Sequence, residues 1–265
     1  MTADVAGPLH RPWRADLPAY AGVLVVAALA WVATLNWFAP MGAGPGTMGL
    51  SLAAFLPVWV VMMTAMMLPA VAPTALVWIR SVGARPTLRA RAVGVTSFLG
   101  GYLLTWSAFG VLVFLALLEV DRLLASMPDA ARWVGAGVLA LAGAYQLTPW
   151  KSACLRHCRT PVGAMFHYAG LTGRARDLRV GLHHGTYCVG CCWGLMALLV
   201  ALGAMNVPAM VALTGVVLAE KTWRHGAVLS RVGGIVLLAG AALVLLVPGT
   251  VPALLPGLSP GAMSM

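Results

Sequence analysis

Seven stretches of this chain carry no Asp, Glu, Lys or Arg and are rich in Leu, Val, Ala, Met and Trp: 20–39, 52–79, 94–118, 133–149, 182–205, 207–219 and 232–247. A helix of about 20 apolar residues spans the hydrocarbon core of a bilayer, and most of these runs approach or exceed that length. Of 265 residues, 61% are hydrophobic and only 9% charged, too little charge to cover a soluble domain. Lipid cannot satisfy backbone N–H and C=O groups, so spans of this kind must be helical. The expected fold is all-α: a polytopic transmembrane helical bundle of about seven helices. The expected organisation is a cytoplasmic N-terminal segment (1–19), one transmembrane domain (20–247) and a C-terminal tail (248–265). The runs 207–219 and 232–247 are short, and the first of them suits a tilted or re-entrant helix. Pro57, Pro69 and Pro73 interrupt the second run and predict a kink. Asn36, Trp37 and Pro40 make a poor cleavage site, so the first run reads as a retained helix and not a signal peptide.

Loop charge sets the expected orientation. Arg11 and Arg14 precede the first run, and Arg80, Arg85, Arg89 and Arg91 follow the second. Lys151, Arg156, Arg159, Arg174, Arg176 and Arg179 follow the fourth, and Lys221, Arg224 and Arg231 follow the sixth. The loops 40–51 and 204–206 carry no charge, and 119–132 is slightly acidic through Glu119, Asp121 and Asp129. Basic loops stay in the cytoplasm, so the N-terminus is expected inside and the C-terminus outside. The net charge of +10 belongs to these loops and to anionic lipid. Nothing resembles the basic–aromatic interleaving of a single-strand binder, and no nucleic-acid partner is expected.

All five cysteines gather around one loop: Cys154 and Cys158 in CLRHC, then Cys188, Cys191 and Cys192 in CVGCC. At 100° per residue His184, Cys188, Cys191 and Cys192 share one helix arc, while His183, Gly190 and Gly194 fall on another. The fifth run therefore divides into a thiol–imidazole face and a small-residue packing face. Cys154 and Cys158 are one helical turn apart at a matching depth. Thiolates and imidazole bind soft cations, so these six residues form the expected metal site, for Cu(I) first and Zn(II) second. An iron–sulfur cluster has suitable ligands here but lacks the usual tight spacing. The reducing side of the membrane disfavours a structural disulfide. The loop 150–181 is expected to be irregular, with one short helix.

Secondary candidates follow. Met62, Met63, Met66 and Met67 form thioether stripes on the second run, able either to relay Cu(I) or to pack adaptably. Met196, Met205 and Met210, with Met41, Met48, Met263 and Met265, add thioethers toward the outer side. Glu220 and Lys221 close the sixth run and can reach the thiols as outer partners. His167, His183 and His225 are expected at the interface. No Asp, Glu, Lys or Arg lies inside a run, which argues against a carboxylate proton relay or an ion-coupled pump. There is no Walker A motif and no HExxH. Gly44, Gly46 and Gly49 fit G-x-G-x-x-G without a preceding strand, so that match is dismissed. The sequence assigns no catalytic residue.

Five pieces carry a family resemblance: WVVMMTAMMLP (59–69), GAYQLTPWKSACLRHCRTP (143–161), HGTYCVGCCWGLM (184–196), GAMN (203–206) and the pair Glu220 and Lys221. In these the chain resembles a bacterial family of predicted metal-binding integral membrane proteins. The resemblance implies metal binding and a multi-pass place in the bacterial inner (plasma) membrane, with no implied substrate or reaction. The first functional expectation is transport, delivery or storage of copper, or alternatively zinc, at the cytoplasmic side. A membrane thiol–disulfide oxidoreductase is one alternative. A non-catalytic or assembly subunit of a larger membrane metalloenzyme is another. Expected partners are the lipid bilayer, the metal ion, and a second copy or a metalloenzyme.

Overall fold

A computed structural model describes residues 17–38, 47, 49–83, 85, 87–127, 129–160, 163, 168, 170–173, 175–203, 205–247, 255 and 258. Arg11, Arg14, Pro40, Met41, Gly44, Gly46, Met48, Pro161, His167, Arg174, Met263 and Met265 lie outside these residues. So does nearly all of 1–19 and 248–265.

Among the described residues the chain is all-α. The helices are α1 (Leu17–Ala33), α2 (Leu52–Gly83), α3 (Leu88–Ser126), α4 (Ala130–Gln146), α5 (Pro149–Arg159), α6 (Arg176–Leu202), α7 (Val207–Thr222) and α8 (Gly226–Leu246). A π-helical turn, Thr34–Phe38, continues α1. Every apolar run corresponds to a helix, but the expected count of about seven spans is corrected. Five helices are long and apolar enough to cross a membrane: α1 with its π turn, α2, α3, α6 and α8. With 17 and 16 residues, α4 and α7 are about 24–26 Å long, short of a hydrocarbon core of about 30 Å.

Boundaries move for local reasons. Thr87 caps α3 by accepting from the Ala90 N–H, and the helix runs 39 residues, through the polar stretch expected as loop. α2 is one helix through Pro57, Pro69 and Pro73. Pro149 opens α5, where Thr148 accepts from the Lys151 N–H. The expected loop after the fourth run thus begins with 11 residues of helix.

α6 is the hub, packing on α3, α4, α5 and α7. It lies closest to α3. A Cβ at Gly181 would strike the Phe98 carbonyl, and one at Gly101 would strike the Leu178 carbonyl. The expected packing glycines act on other neighbours: Gly190 faces Cys154 of α5, and Gly194 faces Ala142 and Tyr145 of α4. Tyr145 donates its hydroxyl hydrogen to the Gly190 carbonyl. One core joins the methionines of α2, the aromatics of α3 and the cysteines of α6. Large apolar side chains on the outside of α1, α3 and α8, such as Leu29, Leu112 and Ile235, remain exposed.

Candidate metal centre

Four sulfurs converge where α5, α6 and α7 meet. Cys191 Sγ lies 3.7 Å from Cys158 Sγ and 3.2 Å from Cys192 Sγ. It also lies 3.2 Å from the Cys188 carbonyl oxygen. Cys188 Sγ accepts from Lys221 Nζ at 3.0 Å and lies 3.2 Å from the Tyr102 hydroxyl. Cys158, Cys188, Cys191 and Cys192 are buried, and all five cysteines are free thiols. The arc drawn from helical periodicity is thus occupied in space, and α5 brings Cys158 to it.

Cys154 goes elsewhere. It is half-buried, with its sulfur in the space left by the missing side chain of Gly190, 2.8 Å from where a Cβ would stand. Burial pushes its thiol above the usual range, and the Lys151 charge opposes that rise. His184 is buried in an aromatic setting. Its ring centroid is 6.3 Å from those of Phe98 and Tyr102, and its Nδ1 is 3.4 Å from the Tyr168 hydroxyl. Tyr168 also meets His157 Nε2 at 2.9 Å, and its phenol is held above the ordinary range chiefly by burial. His183, expected at an interface, packs its ring on Tyr187 and Tyr168.

Beneath the thiols lies a buried ion pair that sequence reasoning missed. Lys151, counted there among the loop cations, is only 1% exposed. Its Nζ donates to Glu220 Oε2 at 2.6 Å and to the Cys191 carbonyl at 2.5 Å. Gln146 Nε2 donates to the other Glu220 oxygen at 2.9 Å, and Ser230 donates to Gln146 Oε1 at 3.2 Å. Arg159 Nη1 donates to the Glu220 backbone carbonyl at 2.6 Å and so closes the C-terminal end of α7. Glu220 and Lys221, neighbours in sequence, therefore serve different tasks. Glu220 neutralises Lys151, and Lys221 supplies positive charge to Cys188. Neither Lys151 nor Tyr102 carried a signal beyond its place among helical neighbours, because each partner is distant in sequence.

Met62, Met63, Met66 and Met67 are buried in the same core as the cysteines, as are Met196, Met205 and Met210. Trp59 donates to the Trp106 carbonyl at 2.9 Å and fixes α2 against α3 at that level.

The donor set fits a soft cation in type and nearly in spacing. Sulfurs sharing a tetrahedral ion at about 2.3 Å stand about 3.8 Å apart. The Cys158–Cys191 separation of 3.7 Å matches that edge, whereas Cys191–Cys192 at 3.2 Å must widen. As packed, no group of three or more His, Cys, Asp or Glu among the described residues is positioned to hold a metal ion. The pair Cys158 and Cys191 has the separation of one such edge, and a larger set of thiols would need side-chain rotation. A cleft of about 250 Å³, lined by Ala70, Pro73, Cys158, Arg159, Lys221 and Thr222, reaches Cys158.

A family model described as "PpoB2: Copper chaperone" matches residues 56–244, which contain every side chain of the centre. No curated protein and no solved structure matches the chain.

Proposed function

Because the chain belongs to the PpoB2 copper chaperone family, we propose that it is a multi-pass protein of the bacterial inner membrane that takes Cu(I) as cargo at its cytoplasmic side. Copper, and not zinc, is the cargo of this reading. Cys158 and Cys191 form the capture pair, Cys192 and Cys188 are the thiols recruited next, and Lys221 balances the negative charge of a copper–thiolate unit. His184 holds the Tyr102 and Tyr168 side of the site, and Cys154 is peripheral. The methionines of α2 offer neutral thioethers along the core for onward passage and delivery. The exposed apolar faces of α1, α3 and α8 support the membrane location. The exposed Arg156 near the end of α5 and the exposed Arg224 after α7 support the cytoplasmic placement of the site.

The observation that carries this reading is the 3.7 Å approach of Cys158 to Cys191, on two different helices and 33 positions apart in sequence. Elemental analysis of the purified protein tests it. Copper is expected in the wild type and lost in a Cys158→Ser, Cys191→Ser variant, and equal copper in both removes the pair from the site.

The same approach favours one second reading, a thiol–disulfide exchange centre in which Cys158 and Cys191 cycle between dithiol and disulfide. Thiol trapping in growing cells separates the two, since a copper site keeps both cysteines reduced.

A further inference from the structure

We infer that copper reaches this site as a small anionic Cu(I) bis-thiolate complex, and that the cleft beside Cys158 is its docking place. The inference rests on the copper reading above and names the chemical form of the cargo. The cleft is about 250 Å³, the size of a low-molecular-weight thiol arm and not of a folded donor domain. Of the six described residues that line it two are cationic, Arg159 and Lys221, and none of the six is acidic. Glu220, the carboxylate next in sequence, is turned away and spent on Lys151. A hydrated or nitrile-bound Cu(I) cation would meet repulsion here, whereas a complex of one Cu(I) with two thiolates carries a net charge of −1 and is attracted. Among the described residues Cys158 is the only sulfur lining the cleft, and its sulfur is 3.7 Å from that of Cys191.

The exchange balances without any redox step. The Cys158 sulfur bonds copper, one external Cu–S bond breaks, and the departing thiolate leaves with the proton that Cys158 gave up. Cys191 repeats the exchange with the second external thiolate. Two Cu–S bonds form, two break, two protons leave on the released thiols, and copper stays Cu(I). The charge of −1 is now held between Cys158 and Cys191, beside Lys221.

Charge at the mouth of the cleft tests this without touching a ligand. Thr222 is exposed, and its hydroxyl donates to the Leu218 carbonyl of its own helix. Thr222→Glu and Thr222→Lys are compared with wild type in detergent, with Cu(I) offered as the bis-thiolate of a cysteine tripeptide or as the acetonitrile cation. Initial uptake from the anionic complex should fall about threefold to tenfold in Thr222→Glu, rise in Thr222→Lys, and weaken with added salt. Uptake from the cation should move the opposite way, and final copper content should stay that of wild type. Equal responses to both copper sources overturn the inference while leaving the copper site standing. Faster uptake from a folded two-cysteine donor domain than from the tripeptide complex, at equal free copper, also overturns it. A wild type that binds no copper from any source instead overturns the reading on which it rests.

Discussion

Two sulfur-rich regions share one core and are held by different forces. Around α6 the thiols meet polar atoms: Cys188 meets Lys221 and Tyr102, and Cys191 meets the Cys188 carbonyl. Along α2, Met62, Met63, Met66 and Met67 sit at 0–1% exposure in the same apolar cluster as Phe55, Trp59 and Trp106. The difference follows from the donors. A thiol must lose its proton to bind a metal, and the charge that appears needs a cation nearby in a low-dielectric core. A thioether binds without a proton and leaves no charge behind, so packing alone can hold it. In the proposed reading the thiol region captures the ion and the thioether region passes it on, and each can be disturbed separately.

The largest expected effect is on the thiol side. Losing both Cys158 and Cys191 should weaken Cu(I) binding more than about 100-fold, since lost outer partners alone cost 10–100-fold; competition against a chromophoric Cu(I) chelator measures it. Glu220→Gln comes next and acts on stability. It leaves Lys151 charged, 1% exposed and without its carboxylate, which should cost about 3 kcal/mol in detergent unfolding. Lys221→Met removes the cation beside Cys188 and should weaken Cu(I) binding about tenfold, with Lys221→Arg recovering much of it. Met62→Leu with Met66→Leu nearly conserves volume and should cost less than about 1.5 kcal/mol. Its Cu(I) affinity should remain that of wild type while copper release to an external acceptor slows. A fall in affinity as large as that of the cysteine variant would erase the distinction between the two regions.

Cys154 offers the finest contrast, being one helical turn from Cys158 yet outside the sulfur cluster. Cys154→Ser should leave Cu(I) affinity unchanged. Because burial raises its thiol, Cys154 should react slowly with maleimide near neutral pH and faster as the pH is raised.

The helices were legible because bilayer thickness imposes a length on apolar runs, and all seven runs are helical. Their number as spans was less legible. α4 and α7 are as apolar as their neighbours yet short, and α3 runs on through Glu119 and Asp121 at its polar end. The convergence of Cys188, Cys191 and Cys192 was legible because they lie on one helix with a known period. The approach of Cys158, and the turn of Cys154 toward Gly190, depend on how α5 crosses α6, which no local pattern encodes. The same holds for Lys151, whose partner Glu220 is 69 residues away. A cation after an apolar run resembles a topology signal until the fold buries it.

Copper K-edge X-ray absorption of the Cu(I)-loaded protein, recorded for wild type and for the Cys158→Ser, Cys191→Ser variant, tests the central claim most directly. The account predicts a thiolate sulfur shell in wild type that disappears from the variant. The same sulfur shell in both, or a wild-type shell of nitrogen and oxygen, would contradict it.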